Sequence, residues 1–295
     1  VDEAKRENVT FLMAVCDART KGHHQLKALE RDSGIITQEI DLSKAAKTVE
    51  KNQMVTLQNV LMKTNTKLGG MSHIVKPDGG LMHAPDAMII GLTIQQPRGI
   101  SSKELLQGST PGMPAVIGFS ANNGKLANAQ PNLRETAAQQ YFTANYQFAH
   151  PREYGEGKSQ ADILKNLIVE GLKQYKANRG RIPGKVIVYR GGVSEGQLSV
   201  IASDEKRVFE DAFHTLNANY NPTLVIIAVS KEHNERFYPT VFPPAPPPGV
   251  RSNVDQNLPA GVVVDTAAVN PELNEFYLQS HKALQGTARA SKYFL

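Results

Sequence analysis

Short apolar runs alternate with amphipathic stretches along this chain, and this alternation constrains the fold more than any other feature. The runs at 87–94, 185–190 and 223–229 are mostly apolar and are bounded by polar or glycine-containing segments, which is typical of buried strands. Residues 163–175 instead carry apolar side chains at helical spacing. Strands joined by helical crossovers predict an α/β fold.

The other predicted elements continue this pattern. Further strands are predicted at 9–15, 35–40, 115–119, 141–148 and 261–265, and residues 292–295 also have the character of a strand. Further helices are predicted at 25–31, 55–68, 200–216 and 272–278. A glycine-rich stretch at 69–80 predicts a boundary between a small N-terminal part and a larger C-terminal part.

Composition excludes several classes of protein. The 295 residues are 40% hydrophobic, which is enough for a packed core and argues against wholesale disorder. Cys16 is the only cysteine, so neither an internal disulfide framework nor a cysteine-based zinc site can form, and a reducing compartment is expected. No apolar run is long enough to span a membrane. The net charge of +5 fits a polyanionic partner without requiring one.

Four groups of residues have the chemistry to bind anions, and each also has a simpler interpretation. Lys63 and Lys67 lie one helical turn apart, which fits either a solvated face or an anion held between two ammonium groups. His23 and Lys27 follow the first strand, where α/β sheets collect ligands, although a lone histidine is more often a surface residue. A glycine-rich strand-to-helix turn at 189–197 is either a nest of backbone N–H groups that binds an anion or an ordinary tight turn. A polar run at 281–289 has side chains suited to contacts with a phosphate backbone, but alone it is a weak signal.

In order and spacing, four stretches resemble the C-terminal lobe of an Argonaute protein. They are KTNTKLGG from Lys63, MIIG from Met88, YRGGVSEGQ from Tyr189 and FYLQSHKALQGTAR from Phe276. The resemblance covers nearly the whole chain and is strongest to the nematode-specific branch that uses secondary small RNAs. The family's last segment, which carries a histidine of the catalytic tetrad, has no match here, so we expect the chain to be a fragment of a longer protein.

The resemblance implies a domain organisation and two sets of binding residues. Residues 1–75 would be the C-terminal half of a Rossmann-like MID domain, and 76–295 an RNase H-like Piwi domain without its last segment. The pocket for the 5′ phosphate of a guide RNA would comprise His23, Lys27, Gln38, Lys63 and Lys67. Contacts to the guide backbone would come from Lys231, Arg236, His281, Gln285, Thr287 and Arg289.

Four positions depart from the family's pattern. Thr93 and Gly191 stand where the family has its two catalytic aspartates, and neither can supply a carboxylate. Glu153 is a candidate for the family's glutamate finger. His23 replaces a tyrosine that stacks on the first base, and a histidine could instead donate to the extra phosphates of a 5′-triphosphate guide. Glu232 replaces a frequent arginine, which weakens the expected grip on the guide backbone.

The resemblance implies a small-RNA-binding Argonaute that silences complementary RNA through recruited effector proteins, and the departures imply that it does so without target cleavage. No cofactor is expected, although a divalent ion can bind at the guide 5′ phosphate, and the expected location is cytoplasmic or nuclear, away from membranes. One alternative is an active RNase H-like nuclease that uses displaced carboxylates such as Asp86, Glu195 or Asp265. A second alternative is a protein-interaction module that has kept the fold and lost RNA binding.

Overall fold

The chain divides into two compact units, Val1–Lys76 and Pro77–Leu295. The structure is a computed structural model, and it describes residues 6–17, 23–75, 86–96, 115–124, 140–149, 159–242, 244, 256–283 and 286–295. The assignment of the first unit to a MID domain stays a prediction.

A two-stranded parallel sheet organises the first unit. Its two strands run in register from the pair Phe11 and Ile36 to the pair Cys16 and Asp41. Parallel neighbours require a crossover connection, and a helix supplies it here. The elements in chain order are β1 (Phe11–Cys16), α1 (His23–Ser33), β2 (Ile36–Asp41), α2 (Leu42–Glu50) and α3 (Met54–Lys67).

Two helices of this unit differ from the sequence-based expectation. Helix α2 was not predicted; it begins where the Asp41 carboxylate accepts a hydrogen bond from the backbone N–H of Lys44, at 3.0 Å. Helix α3 forms as predicted, but two of its leucines, Leu57 and Leu61, are 40% and 58% exposed. The last two turns of α3 carry Lys63 and Lys67.

An eight-stranded mixed sheet forms the second unit. The strand order is β5-β4-β3-β6-β7-β10-β9-β8, with β3, β6 and β7 parallel and all the other pairings antiparallel. The strands are β3 (Ala87–Gln95), β4 (Ala115–Ala121), β5 (Thr143–Ala149), β6 (Lys185–Gly191), β7 (Thr223–Ser230), β8 (Val263–Val264), β9 (Glu275–Leu278) and β10 (Ser291–Phe294). The helices are α4 (Gln160–Arg179) and α5 (Lys206–Leu216), and the turns Leu198–Val200 and π-helical Ile201–Glu205 lead directly into α5.

The main core lies between this sheet and the two long helices. Phe209 and Phe213 of α5 and Leu172 of α4 are buried against the apolar side chains of β3, β4 and β6. Helix α4 comes so close to the sheet at Gly171 that an added Cβ would lie 3.0 Å from the ring of Phe119. Truncating a ring such as Phe209 to alanine would cost about 3–5 kcal/mol at a site this well packed.

The helix predicted at 272–278 is wrong, because these residues contain strand β9. Glu275 and Tyr277 are buried while the residues between and after them are half-buried, which is the two-residue period of a strand. Its partner is β10, which fits the strand character of the residues at 292–295. The buried Glu275 carboxylate interrupts the apolar pattern of this strand, and it pairs with the ammonium of Lys292 at 3.2 Å.

Within the described ranges, no helix combines the length and the apolar character needed to cross a membrane.

Candidate nucleic-acid interface

Two of the predicted phosphate-binding lysines meet at one residue of β2. The Lys67 Nζ at the end of α3 donates to the backbone carbonyl of Thr37, at 2.6 Å. The Lys27 Nζ on α1 donates to the hydroxyl of the same threonine, at 3.3 Å. A helix before β2 and a helix after it thus bring two ammonium groups to the same point, although the lysines are forty positions apart in sequence.

The other three predicted residues lie in the same unit. Gln38, next to Thr37, is buried; its amide donates to the carbonyl of Glu39 at 2.7 Å, and its Oε1 has no hydrogen-bond partner among the described residues. His23, at the start of α1, pairs through Nδ1 with a Glu39 carboxylate oxygen at 2.6 Å. Lys63 is exposed one turn before Lys67.

The charged side chains near Thr37 affect the pKa of the Lys67 ammonium. Burial, followed by the charge of Lys27, holds the pKa of the Lys67 ammonium below its ordinary value, against the opposing charge of Glu30. An anion at this point would relieve the repulsion between the lysines. Glu30 is a residue that the sequence analysis missed, since an acidic residue three positions after a lysine looks like an ordinary surface pair on a helix.

The residues predicted to contact a guide backbone lie in the second unit, on segments after β7 and β9. Lys231, His281, Thr287 and Arg289 are exposed, as is Glu232. Arg236 is half-buried and donates from Nη1 to the carbonyls of His233 and Glu235, at 3.0 and 2.7 Å. Gln285 lies outside the described residues.

Two residues that sequence reasoning did not select hold the segment that carries Thr287 and Arg289. The Asn257 amide donates to the carbonyl of Gly286 at 2.9 Å, and its oxygen accepts from the N–H of Ala288 at 2.7 Å. The Nε2–H of the largely buried His233 donates to the carbonyl of Ala290, at 2.6 Å. An ordered backbone here presents the polar side chains of this segment to solvent.

The two positions that depart from the family's aspartates are immediate neighbours. Thr93 of β3 and Gly191 of β6 are paired in register on adjacent parallel strands, which lie about 4.8 Å apart. A Cβ on Gly191 would meet nothing closer than the carbonyl of Leu92 at 4.0 Å, so this position has space for a side chain. The residues present are a hydroxyl and a hydrogen, which do not fit the carboxylate ligands of a two-metal site. Glu153 lies outside the described residues.

The displaced carboxylates considered as an alternative do not converge on Thr93. Asp86 precedes β3, at the opposite end of that strand. Glu195 pairs with the Lys292 ammonium at 2.8 Å, and Asp265 follows the edge strand β8. No group of three or more histidine, cysteine or acidic side chains that could hold a metal ion occurs in the part of the chain that the structure describes.

A buried ion pair lies directly beneath Gly191. The guanidinium Nε of Arg190 donates to both carboxylate oxygens of Glu205, at 3.1 and 2.9 Å, and Nη1 donates to the Gly191 carbonyl, at 2.6 Å. The two side chains are only 5% and 15% exposed. This pair fixes the carboxyl end of β6 to the π-helical turn before α5.

A protein-family comparison identifies the chain. The Piwi domain model matches residues 9–295. The chain belongs to the Argonaute family. It is 31% identical to Argonaute protein wago-1 of Caenorhabditis elegans over 96% of its own length, and 30% identical to wago-4 of the same organism over 99%. It spans 27% and 30% of those two proteins, less than a third of each.

Solved Argonaute structures have the same fold. The C-terminal lobe of a budding yeast Argonaute superposes with a TM-score of 0.69 at 19% identity, covering 99% of this chain and 55% of that one. The Argonaute of Kluyveromyces polysporus, solved with a guide RNA, gives 0.69 at 20% identity and covers 96% and 32%. The predicted α/β class with an RNase H-like Piwi fold is confirmed.

Proposed function

We propose that this chain is the guide-holding part of an Argonaute that silences complementary RNA without cleaving it. The observation that carries the proposal is the meeting of Lys27 and Lys67 at Thr37, beside the buried Gln38. The Argonaute of Kluyveromyces polysporus, with which the chain shares its fold, was solved with a guide RNA. The ligand we propose is a single-stranded small RNA that carries a 5′ phosphate.

The pocket would recognise the charge of the RNA terminus. The Lys67 ammonium is partly buried, and this burial lowers its pKa. A phosphate would therefore gain more binding free energy from this ammonium than from the ammonium of an exposed lysine. Hydrogen bonds to charged groups contribute about 1.5–3 kcal/mol each, which corresponds to roughly 10–150-fold in affinity. A 5′-hydroxyl RNA lacks this contribution and should bind through its backbone alone. The pocket could also hold a divalent ion beside the phosphate.

The guide backbone would follow the exposed polar segments of the second unit. Lys231, His281, Thr287 and Arg289 have side chains suited to phosphate contacts, which bind without reading bases. Sequence would then be read by pairing between the guide and its target, with the A-form shape and 2′-hydroxyls favouring RNA. Silencing would need effector proteins, because the chain itself lacks the means to cut.

The absence of cleavage follows from Thr93 and Gly191. A two-metal site needs several carboxylates to hold its ions against the charge of a phosphate, and these neighbouring positions supply none. The assay incubates guide-loaded protein with a matched target and Mg²⁺ or Mn²⁺. We expect the target to stay intact; site-specific cutting within the paired region would overturn this part of the proposal.

The phosphate pocket is tested by removing its α3 lysines. Lys63→Ala combined with Lys67→Ala should weaken the binding of 5′-phosphorylated RNA at least about ten-fold and leave the 5′-hydroxyl RNA nearly unchanged. The matched control replaces Lys44 and Lys47, two exposed lysines of the same unit, and should affect both RNAs equally. An equal loss for both RNAs in the α3 variant would put the pocket assignment in error.

A further inference from the structure

Two carboxylates already contact residues of the proposed phosphate pocket. Glu30 Oε2 lies 2.5 Å from the Lys27 ammonium and also accepts a hydrogen bond from the Thr37 hydroxyl. Glu39 accepts from His23, as described above. The ligand-free pocket therefore contains its own anions.

The net charge of these side chains limits how well the pocket can receive a phosphate. Lys27, Lys63 and Lys67 set against Glu30 and Glu39 leave a net charge of +1 when His23 is neutral. A terminal phosphate monoester brings about −1.5 to −2 at neutral pH. With both carboxylates in place, the phosphate would exceed the charge that is there to receive it.

Glu30 stays ionised at neutral pH. Partial burial acts to raise its pKa, but the hydrogen bonds from Lys27 and Thr37 and the charges of Lys27 and Lys67 together hold it below its ordinary value. A phosphate contacting Lys27 must therefore displace this carboxylate or lie beside a like charge.

We propose that Glu30 is an internal competitor in the pocket, a carboxylate that holds Lys27 until the phosphate of an RNA terminus displaces it. The inference rests on the proposed function, because it assumes that the terminal phosphate binds at Lys27 and Lys67. Glu30 thereby lowers the affinity of the pocket for a terminal phosphate, which must break the ion pair between Lys27 and Glu30 before it binds there. It also keeps the ligand-free lysines ordered around Thr37, so that they are in position when the carboxylate leaves.

The test compares two RNAs of one sequence, with a 5′ phosphate or a 5′ hydroxyl, on the wild type and on Glu30→Gln. Glutamine keeps the size of the side chain and removes the charge. We expect the affinity for the phosphorylated RNA to rise about ten-fold, and that for the hydroxyl RNA by about two-fold at most, since only the former meets the vacated ammonium.

Two further variants separate charge from structure. Glu30→Asp keeps the charge and should bind both RNAs much as the wild type does. Glu170→Gln breaks another lysine–glutamate pair with a three-residue spacing, Lys173 with Glu170 at 2.8 Å on an exposed helix face, and should change neither affinity.

Each outcome decides the matter. An unchanged or reduced affinity of Glu30→Gln for phosphorylated RNA, or a Gln variant that does not fold, would mean that Glu30 only positions Lys27, and would overturn the inference. If the wild type still prefers the phosphorylated RNA in that case, the proposed function stands. If the wild type binds both RNAs equally, the proposed function itself has failed.

Discussion

Replacing Glu205 by glutamine removes the counterion of a buried guanidinium, and this is the perturbation whose cost the structure defines best. Arg190 and Glu205 are 5% and 15% exposed, and the guanidinium donates to the carboxylate from two nitrogens, Nε and Nη2. Removing one charge of a buried pair costs about 3–5 kcal/mol, since the remaining buried charge loses its counterion. Glutamine can still accept a hydrogen bond, so we expect the lower end of that range.

For a domain of this size, each kcal/mol lowers the melting temperature by about 2–4 °C, so Glu205→Gln should lower it by roughly 6–12 °C. The chain has no tryptophan, so unfolding is best followed by far-ultraviolet circular dichroism in urea and on heating. The matched control is Glu210→Gln on α5, whose pair with Lys206 spans 3.5 Å and is about half exposed. That change should cost less than about 1 kcal/mol.

A compensating variant separates the charge from the packing. Arg190→Met with Glu205→Leu removes both charges and should recover most of the lost stability, because no charge is then buried alone. If Glu205→Gln and Glu210→Gln lower stability equally, the pair beneath Gly191 is not acting as a buried ion pair, and the reasoning is refuted.

Three further changes have defined outcomes. Thr93→Asp with Gly191→Asp puts two carboxylates on neighbouring strands where Gly191 leaves space, so calorimetry should detect tighter Mn²⁺ binding than in the wild type; equal heats would contradict this. Gly180→Ala places a Cβ at a φ of 73° and should cost about 1–2 kcal/mol in urea unfolding, whereas Gly196→Ala, without a positive φ, should not. The lowered pKa of Glu30 stabilises the fold above pH 4.5 and this stabilisation disappears as the pH falls through the folded-state pKa, so Glu30→Gln should flatten the acid side of the stability profile; an unchanged slope would contradict it.

The central strands of the sheet were predictable because each carries its own signal. The runs that form β3, β6 and β7 are mostly apolar, which is typical of strands in the middle of a sheet. Strand β9 was mistaken for a helix because its buried Glu275 breaks the apolar alternation, and only the partner Lys292 on β10 explains that carboxylate. Contacts between residues far apart in sequence cannot be predicted from the pattern of neighbouring residues.

The candidate site, too, was only partly predictable from the sequence. The residue types and spacing select Lys63 and Lys67, but the convergence of Lys67 with Lys27 depends on a register between β2 and two helices that no local pattern encodes. The role of Glu30 could not be predicted for the same reason, since its contact with Thr37 exists only in the folded unit. The predicted roles of the site residues themselves remain predictions.

The most direct test of the phosphate pocket uses one RNA sequence with a single phosphate at its 5′ end or at its 3′ end. The two molecules carry the same charge, so general attraction to a basic protein cannot distinguish them. The account predicts that the 5′-phosphorylated RNA binds the wild-type protein at least about ten-fold more tightly, from one additional charge-assisted contact. Equal affinities would contradict the claim that Lys27 and Lys67 receive the 5′ end of a guide.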